Sequence, residues 1–312
     1  MIFLHEAPDF ADLIGVVGRE LSIEPALIEK DYWIMHCLYG LQQMGRTFQL
    51  KGGTSLSKRF GLIHRFSEDI DIRIEPPPAL PIGKNQNKPN DVAARGKFFD
   101  GLADAIKIPG INGAERDHEF DDKNFRSAGI RLSYYSRNPI PAGVKEGVLL
   151  ESGFDQVTPN HLCDISSWAL DKAAASGVGD LIDNRAKAAP CYDPGYTLVE
   201  KLQTISTKYR QQQETGVPPR NFMRHYYDVY CLLKSDAVRA FIGSASYLAH
   251  KKERFRTDDD PNIAANEAFH LSDPETRRTF ESAYRATRAL YYREVPTFPE
   301  ILAVIALASP NL

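Results

Sequence analysis

The six residues Asp69-Ile70-Asp71-Ile72-Arg73-Ile74 alternate charged and apolar side chains without a break, and no other stretch restricts its own folding as tightly. A repeat of two is that of a β-strand, so Asp69 and Asp71 share one face while Ile70 and Ile72 enter a core. Two carboxylates on one face repel, and the pair is costly unless a cation is shared. Oxygen-only ligands suit Mg²⁺ or Mn²⁺. Just upstream, Phe48-Gln49-Leu50-Lys51 reads as a strand that ends in Gly52-Gly53 and leads into a polar helix start. Two glycines at such a turn allow positive φ and the close approach of a phosphate. With the hydroxyls of Thr54 and Ser55 and the free N–H groups of the helix start, they form an anion site. Taken singly, Gly-Gly is usually a turn and Asp-x-Asp a solvated strand face. One short helix apart they fit one chemistry, in which two ions about 3.5–4 Å apart clamp the entering and leaving oxygens of a displacement at phosphorus.

Composition narrows the class. The chain has 312 residues with 43% apolar and 25% charged side chains, the profile of an ordinary globular protein of roughly two domains. A net charge of −3 excludes binding of nucleic acid by bulk charge, so any RNA contact must be local. Cys37, Cys163, Cys191 and Cys231 lie far apart and form no zinc spacing. The first residues carry no secretory pattern, and these features predict a reducing, cytoplasmic setting with free, mostly buried thiols. The longest apolar run, 301–308, is far short of a membrane span and reads as a core helix.

The residues from about 8 to 43 have helical period and predict two helices, the second opened by Ser22 as N-cap with Pro25 in its first turn. The proline-rich stretch 76–89 predicts a loop, Asn90 or Asp91 caps a helix ending near Ile106, and 130–135 and 147–154 read as strands. The sheet then has at least four strands. Beyond Pro190 strand signals vanish. Thr197-Leu198-Val199-Glu200 is a capping-box pattern that starts an amphipathic run, and Ser272-Asp273-Pro274-Glu275 repeats the signal. The expected division is 1–189, with a core of about 46–170, and a helical 190–312.

Lys51 to Lys58 together with Arg65 to Ile72 resemble the signature of the AbiEii/AbiGii family of nucleotidyltransferase toxins, within the DNA polymerase β-like superfamily. Leu198-Val199-Glu200-Lys201-Leu202 and Arg224-His225-Tyr226-Tyr227-Asp228-Val229-Tyr230 are similar to two later motifs of that family. The resemblance covers roughly residues 25 to 235. It implies an α+β fold, a mixed-sheet nucleotidyltransferase core with N-terminal helices and a helical C-terminal domain. It also implies metal-dependent transfer of NMP from an NTP, and the toxin role in a toxin–antitoxin pair. In some members the acceptor is the tRNA 3′ end. On this resemblance Asp69 and Asp71 are the metal pair, and the nucleotide is met by Gly52, Gly53, Thr54, Ser55, Lys58, Ser67 and Lys201. A third carboxylate is usual, acting on the acceptor hydroxyl as ligand or base; Glu151, on the better-defined strand, is preferred to Asp164.

Each assignment has a plainer counterpart. Lys201, read as lying in the first turn of its helix, opposes the dipole there, and a phosphate contact would explain its placement. Asp228 could form a surface ion pair with Arg224 or Arg220, or orient Lys201 or the nucleotide. Glu68 and Arg73 read as solvated salt-bridging residues. Lys58 is either a phosphate ligand or solvated, and Ser67 either a metal-facing hydroxyl or the end of a turn. No histidine, His225 included, has metal-ligand spacing. Lys208, Arg210, Arg220 and Arg224, interleaved with Tyr209, Phe222, Tyr226 and Tyr227, are half core and half solvated face, or part of an RNA groove. The functional expectation is a Mg²⁺- or Mn²⁺-dependent NMP transfer to RNA, restrained by an antitoxin. The alternatives are a protein or small-molecule acceptor, or a silent nucleotide-binding module.

Overall fold

A computed structural model describes residues 1–140, 144–219, 221–293 and 295–312. The chain forms two compact units: residues 1–59 with 67–192, and residues 60–66 with 193–312.

The first unit runs α1 (Phe10–Leu21), α2 (Pro25–Gln43), β1 (Phe48–Lys51), α3 (Gly52–Lys58), β2 (Asp69–Ile74), α4 (Pro89–Ala105), β3 (Ile111–Asp117), β4 (Ser127–Tyr134), β5 (Val148–Gly153), β6 (Asn160–Ile165), α5 (Trp168–Ala175) and β7 (Ala186–Tyr192). The seven described strands form one sheet in the order β3-β4-β5-β2-β1-β7-β6. The pairs β2–β5 and β1–β7 are parallel and the rest antiparallel, so the sheet is mixed and the fold α+β. Because neighbours in register share a face, Ile70, Leu150 and Ile130 line up on one side and Asp71, Glu151 and Gly129 on the other. Helices cover the apolar side: Trp33 of α2 stacks on Tyr134 at 4.9 Å, and Asp100 of α4 pairs with Arg116, which is opposite Ile130.

Ser22 ends α1 in the left-handed conformation, φ 55°, with its N–H on Arg19 O; it is a C-cap, and Glu24 precedes Pro25 as N-cap of α2. The first helix stops there because that residue, with the Ile23 N–H on Gly18 O, satisfies the last carbonyls in the manner of a Schellman motif. Three strands carry little sequence signal. β3 is polar, β6 is an exposed edge, and β7 holds three alanines and Pro190. Their pairing partners, not their propensities, make them strands.

The second unit begins with the strap 60–66 and continues as α6 (Pro194–Thr215), α7 (Met223–Leu233), α8 (Asp236–Phe241), α9 (Ala245–Arg254), α10 (Glu267–His270), α11 (Pro274–Ala286) and α12 (Phe298–Ala308). Its core is aromatic: Phe222, Tyr226, Phe280, Tyr284 and Phe298 are buried and in ring contact. The strap is held by a bridge between Arg65 and Tyr291, with Phe66 N donating to Leu290 O at 2.7 Å and Tyr292 N to His64 O at 3.2 Å. Asp193 caps α6 through Gly195 N at 2.8 Å, with Pro194 in the first turn. The helix therefore starts three residues before Thr197, and Lys201 lies two turns in. No described helix is long and apolar enough to cross a membrane.

Candidate active site

In the sheet unit, Gly52 has φ +68°, and a Cβ there would meet Asp71 Oδ2 at 2.0 Å. The first glycine thus serves two needs: a left-handed turn out of β1, and room for the Asp71 carboxylate against the backbone. Thr54 Oγ1 donates to the backbone carbonyl of Asp69 at 2.8 Å, which ties α3 to β2. Gly52, Gly53, Thr54 and Ser55 are all buried, so the two hydroxyls lie inside the fold.

Asp69 is 3% exposed and Asp71 half-buried. Glu151 is also half-buried and stands in register with Asp71 on the parallel neighbour β5, while Asp69 is opposite Leu149. The other carboxylate weighed above, Asp164, lies on the far edge strand β6. There it accepts Ala188 N at 2.9 Å and Lys187 Nζ at 3.2 Å, bonds that hold its carboxyl below the usual range. Ser67 is half-buried in the turn before β2.

Several charged side chains have partners that sequence reasoning did not find. Lys58 Nζ lies 2.6 Å from Asp31 and 4.0 Å from the centre of the Trp168 ring, so it is neither solvated nor directed at open space. Glu68, 3% exposed, faces Lys30 at 3.7 Å, and Arg73 donates to Asp155 O at 3.0 Å and pairs with Glu75. Both form ion pairs as expected, but neither is solvated: Glu68, just before β2, and Arg73, within it, are buried. Lys51, the last residue of β1, pairs with Asp155.

In the helical unit, Asp228 is fully buried rather than on a surface helix face. Arg65 donates to it in bidentate fashion, Nε to Oδ1 and Nη2 to Oδ2, each at 2.7 Å. Lys201 Nζ is 3.2 Å from Oδ2. Burial pushes the Asp228 carboxyl up, but the charges of Arg65 and Lys201 outweigh it and hold the group below its ordinary value. Arg65 is the residue that sequence reasoning passed over: 163 positions separate it from Asp228, and no local pattern marks such a pair. Beside it His225 is buried, with neither ring nitrogen hydrogen-bonded among the described residues. Burial first, then the charges of Lys201, Lys208, Arg224 and Arg65, keep it neutral far below its usual pKa.

Of the basic, aromatic stretch, Phe222, Tyr226 and Tyr227 belong to the core and are closed to base stacking. Tyr209 is half-buried, stacked on Phe280 at 6.1 Å, and Arg210 is engaged by Glu214 and Asp259. Arg220 lies outside the described residues.

Among the described residues no three His, Cys, Asp or Glu side chains converge as a ready-made metal cage. Mg²⁺ does not need one, since it is commonly held by one or two carboxylates together with substrate phosphates. Asp69 and Asp71, two hard oxygen donors on one strand face beside a glycine turn, fit that habit.

No curated protein and no solved structure matches the chain. The family model described as nucleotidyl transferase AbiEii toxin, type IV TA system, matches residues 36–304. That span takes in the glycine turn, the aspartate strand and both helices of the Arg65–Asp228–Lys201 cluster, and the chain belongs to the AbiEii family of nucleotidyltransferase toxins of type IV toxin–antitoxin systems.

Proposed function

We propose that this toxin transfers a nucleoside monophosphate from an NTP to an RNA acceptor, of which the 3′ end of tRNA is the first to test. The observation that carries the reading is the Asp71 carboxylate seated against Gly52, with Asp69 on the same strand and Glu151 in register beside it. Asp69 and Asp71 hold Mg²⁺ or Mn²⁺, and the metal supplies charge neutralisation on the phosphates when bound. Gly52 and Gly53 let the nucleotide approach the backbone. The acceptor hydroxyl oxygen forms a bond to the α-phosphorus as the bond to the β-phosphate oxygen breaks, and pyrophosphate leaves. Glu151 takes the hydroxyl proton. Lys201 serves a phosphate of the NTP, and Asp228 orients Lys201. Such a reaction uses cytoplasmic substrates, and the cognate antitoxin restrains it.

The test is to incubate the protein with each α-labelled NTP, Mg²⁺ and total tRNA. RNase-sensitive label is expected with the wild type, and none with Asp69→Ala. Transfer that persists in the variant removes the metal assignment. Label that survives RNase moves the acceptor to a protein or small molecule, and its absence with every NTP leaves a silent nucleotide-binding module.

A further inference from the structure

We propose that Arg65 is a positioning residue for nucleotide transfer: by holding both oxygens of Asp228 it sets where Lys201 presents its ammonium to an NTP phosphate. This rests on the role given to Lys201 above.

All three side chains belong to the helical unit and differ in access. The Arg65 and Asp228 side chains are 2% and 0% exposed and that of Lys201 12%, so Lys201 is the member that reaches outward. The guanidinium is a planar fork that matches a carboxylate with two parallel bonds, whereas an ammonium is a point charge. With both oxygens already taken at 2.7 Å, Asp228 offers Lys201 a single, longer contact at 3.2 Å. It orients the ammonium without neutralising it. Two cations on one anion leave the trio with one net positive charge at its accessible end, the charge a phosphate needs. Without Arg65 the carboxylate would draw on Lys201, with Arg224 adding its charge, and the ammonium would be pulled inward.

The anchor is itself fixed. Arg65 Nη1 donates to Phe66 O at 3.2 Å, and His64 N donates to the Tyr227 hydroxyl at 3.2 Å, on the residue next to Asp228. With the bridge to Tyr291, the strap holds Arg65 from both backbone and side chain, which is what a positioning group requires.

The test measures binding of the four α,β-methylene nucleoside triphosphates in Mg²⁺ buffer by titration calorimetry, with melting temperature as control. Arg65→Lys keeps the charge but loses the fork; it and Lys201→Ala should each weaken binding by about 10- to 100-fold. The double variant should bind no more weakly than Lys201→Ala, since Arg65 acts through Lys201. Wild-type affinity in a stably folded Arg65→Lys protein overturns the proposal. So does a loss that carries over in full into the Lys201→Ala background, because a merely structural role is additive. Should Arg65→Lys not fold, Arg65→Met with Asp228→Leu removes both buried charges together. Its affinity should fall to that of Lys201→Ala, and wild-type affinity overturns the proposal. If the wild type binds none of the four, the nucleotidyltransferase reading and the role of Arg65 fail together. If binding behaves as expected while Asp69→Ala still transfers label, only the metal assignment fails.

Discussion

Gly52 shows how much a missing Cβ can decide. Its φ of +68° and the Asp71 oxygen 2.0 Å from where a methyl would sit mean that Gly52→Ala carries both backbone strain and a clash with a carboxylate. The left-handed conformation alone costs about 1–2 kcal/mol, so urea denaturation should register at least that loss, with transfer activity falling further as Asp71 is displaced. Asp228 makes a different case. Replacing it by Asn leaves the Arg65 guanidinium buried without its counter-charge, and a broken buried pair costs about 3–5 kcal/mol. The denaturation midpoint of Asp228→Asn should drop accordingly, and that of Arg65→Met with Asp228→Leu should stay near the wild type. His36 adds a pH dependence. Its Nε2–H donates to Pro109 O and its Nδ1 accepts from Asn184, each at 2.8 Å, a pattern that only the neutral ring completes, and burial lowers its pKa from 6.5 to about 4. A histidine lowered in the folded state stabilises the fold above pH 6.5 and gives up that contribution as the unfolded chain takes a proton below it. From pH 6.5 to 5 the loss from His36 is about 2 kcal/mol, with His225 acting in the same direction. Urea unfolding at both pH values checks it, and His36→Gln should flatten the profile.

Helices and strands show where local pattern is a sufficient guide. The alternation of 69–74 and the apolar runs of β4 and β5 define themselves, because a half-buried strand writes its period into the chain. The register does not: that Asp71 stands beside Glu151, and that Asp164 is on the far edge, follows from the strand order β5-β2-β1-β7-β6. The prediction drawn from it is that Glu151→Gln lowers kcat at least about 100-fold and Asp164→Asn changes it less than threefold. The reverse outcome would move the third carboxylate to β6. Helix α2 is the opposite lesson. Glu29, Lys30 and Asp31 are consecutive and all buried: Glu29 accepts the backbone of Arg137 and Asn138, Lys30 donates to Lys145 O at 2.5 Å, and Asp31 accepts Trp168 N at 3.0 Å. Glu29 and Lys30 tie down the connection between β4 and β5, and Asp31 the first residue of α5. Burial on nearly all sides erases the amphipathic stripe that sequence reading depends on.

The two units are interleaved in the chain, since 60–66 lies in the middle of the sheet unit's sequence yet belongs with 193–312. A fragment 193–312 therefore lacks Arg65 and leaves Asp228 buried with the charges of Lys201 and Arg224 but without the bidentate guanidinium. It should show no cooperative thermal transition by circular dichroism, and adding a peptide of residues 58–68 should restore one. A fragment that melts cooperatively on its own would show the strap to be dispensable. The net charge of −3 is consistent with the toxin role assigned by family: binding to nucleic acid by bulk charge is not built into the chain, so specificity has to come from local sites.

The chemistry of the chain is written in short-range pattern. A glycine turn, a two-residue alternation and a lysine and an aspartate in two later motifs were enough to reach the AbiEii family and the α+β class, because backbone freedom and side-chain period are local properties. The partners of the charged residues were not legible: Asp31 with Lys58, Glu68 with Lys30, Asp228 with Arg65. Each joins residues from separate elements, and burial of an ion pair depends on what the rest of the chain packs around it. The same holds for β3, β6 and β7, whose residues favour no strand until a neighbour offers its hydrogen bonds. Residue type and spacing chose the reaction class, and long-range packing chose which carboxylate stands beside Asp71 and which cation holds Asp228.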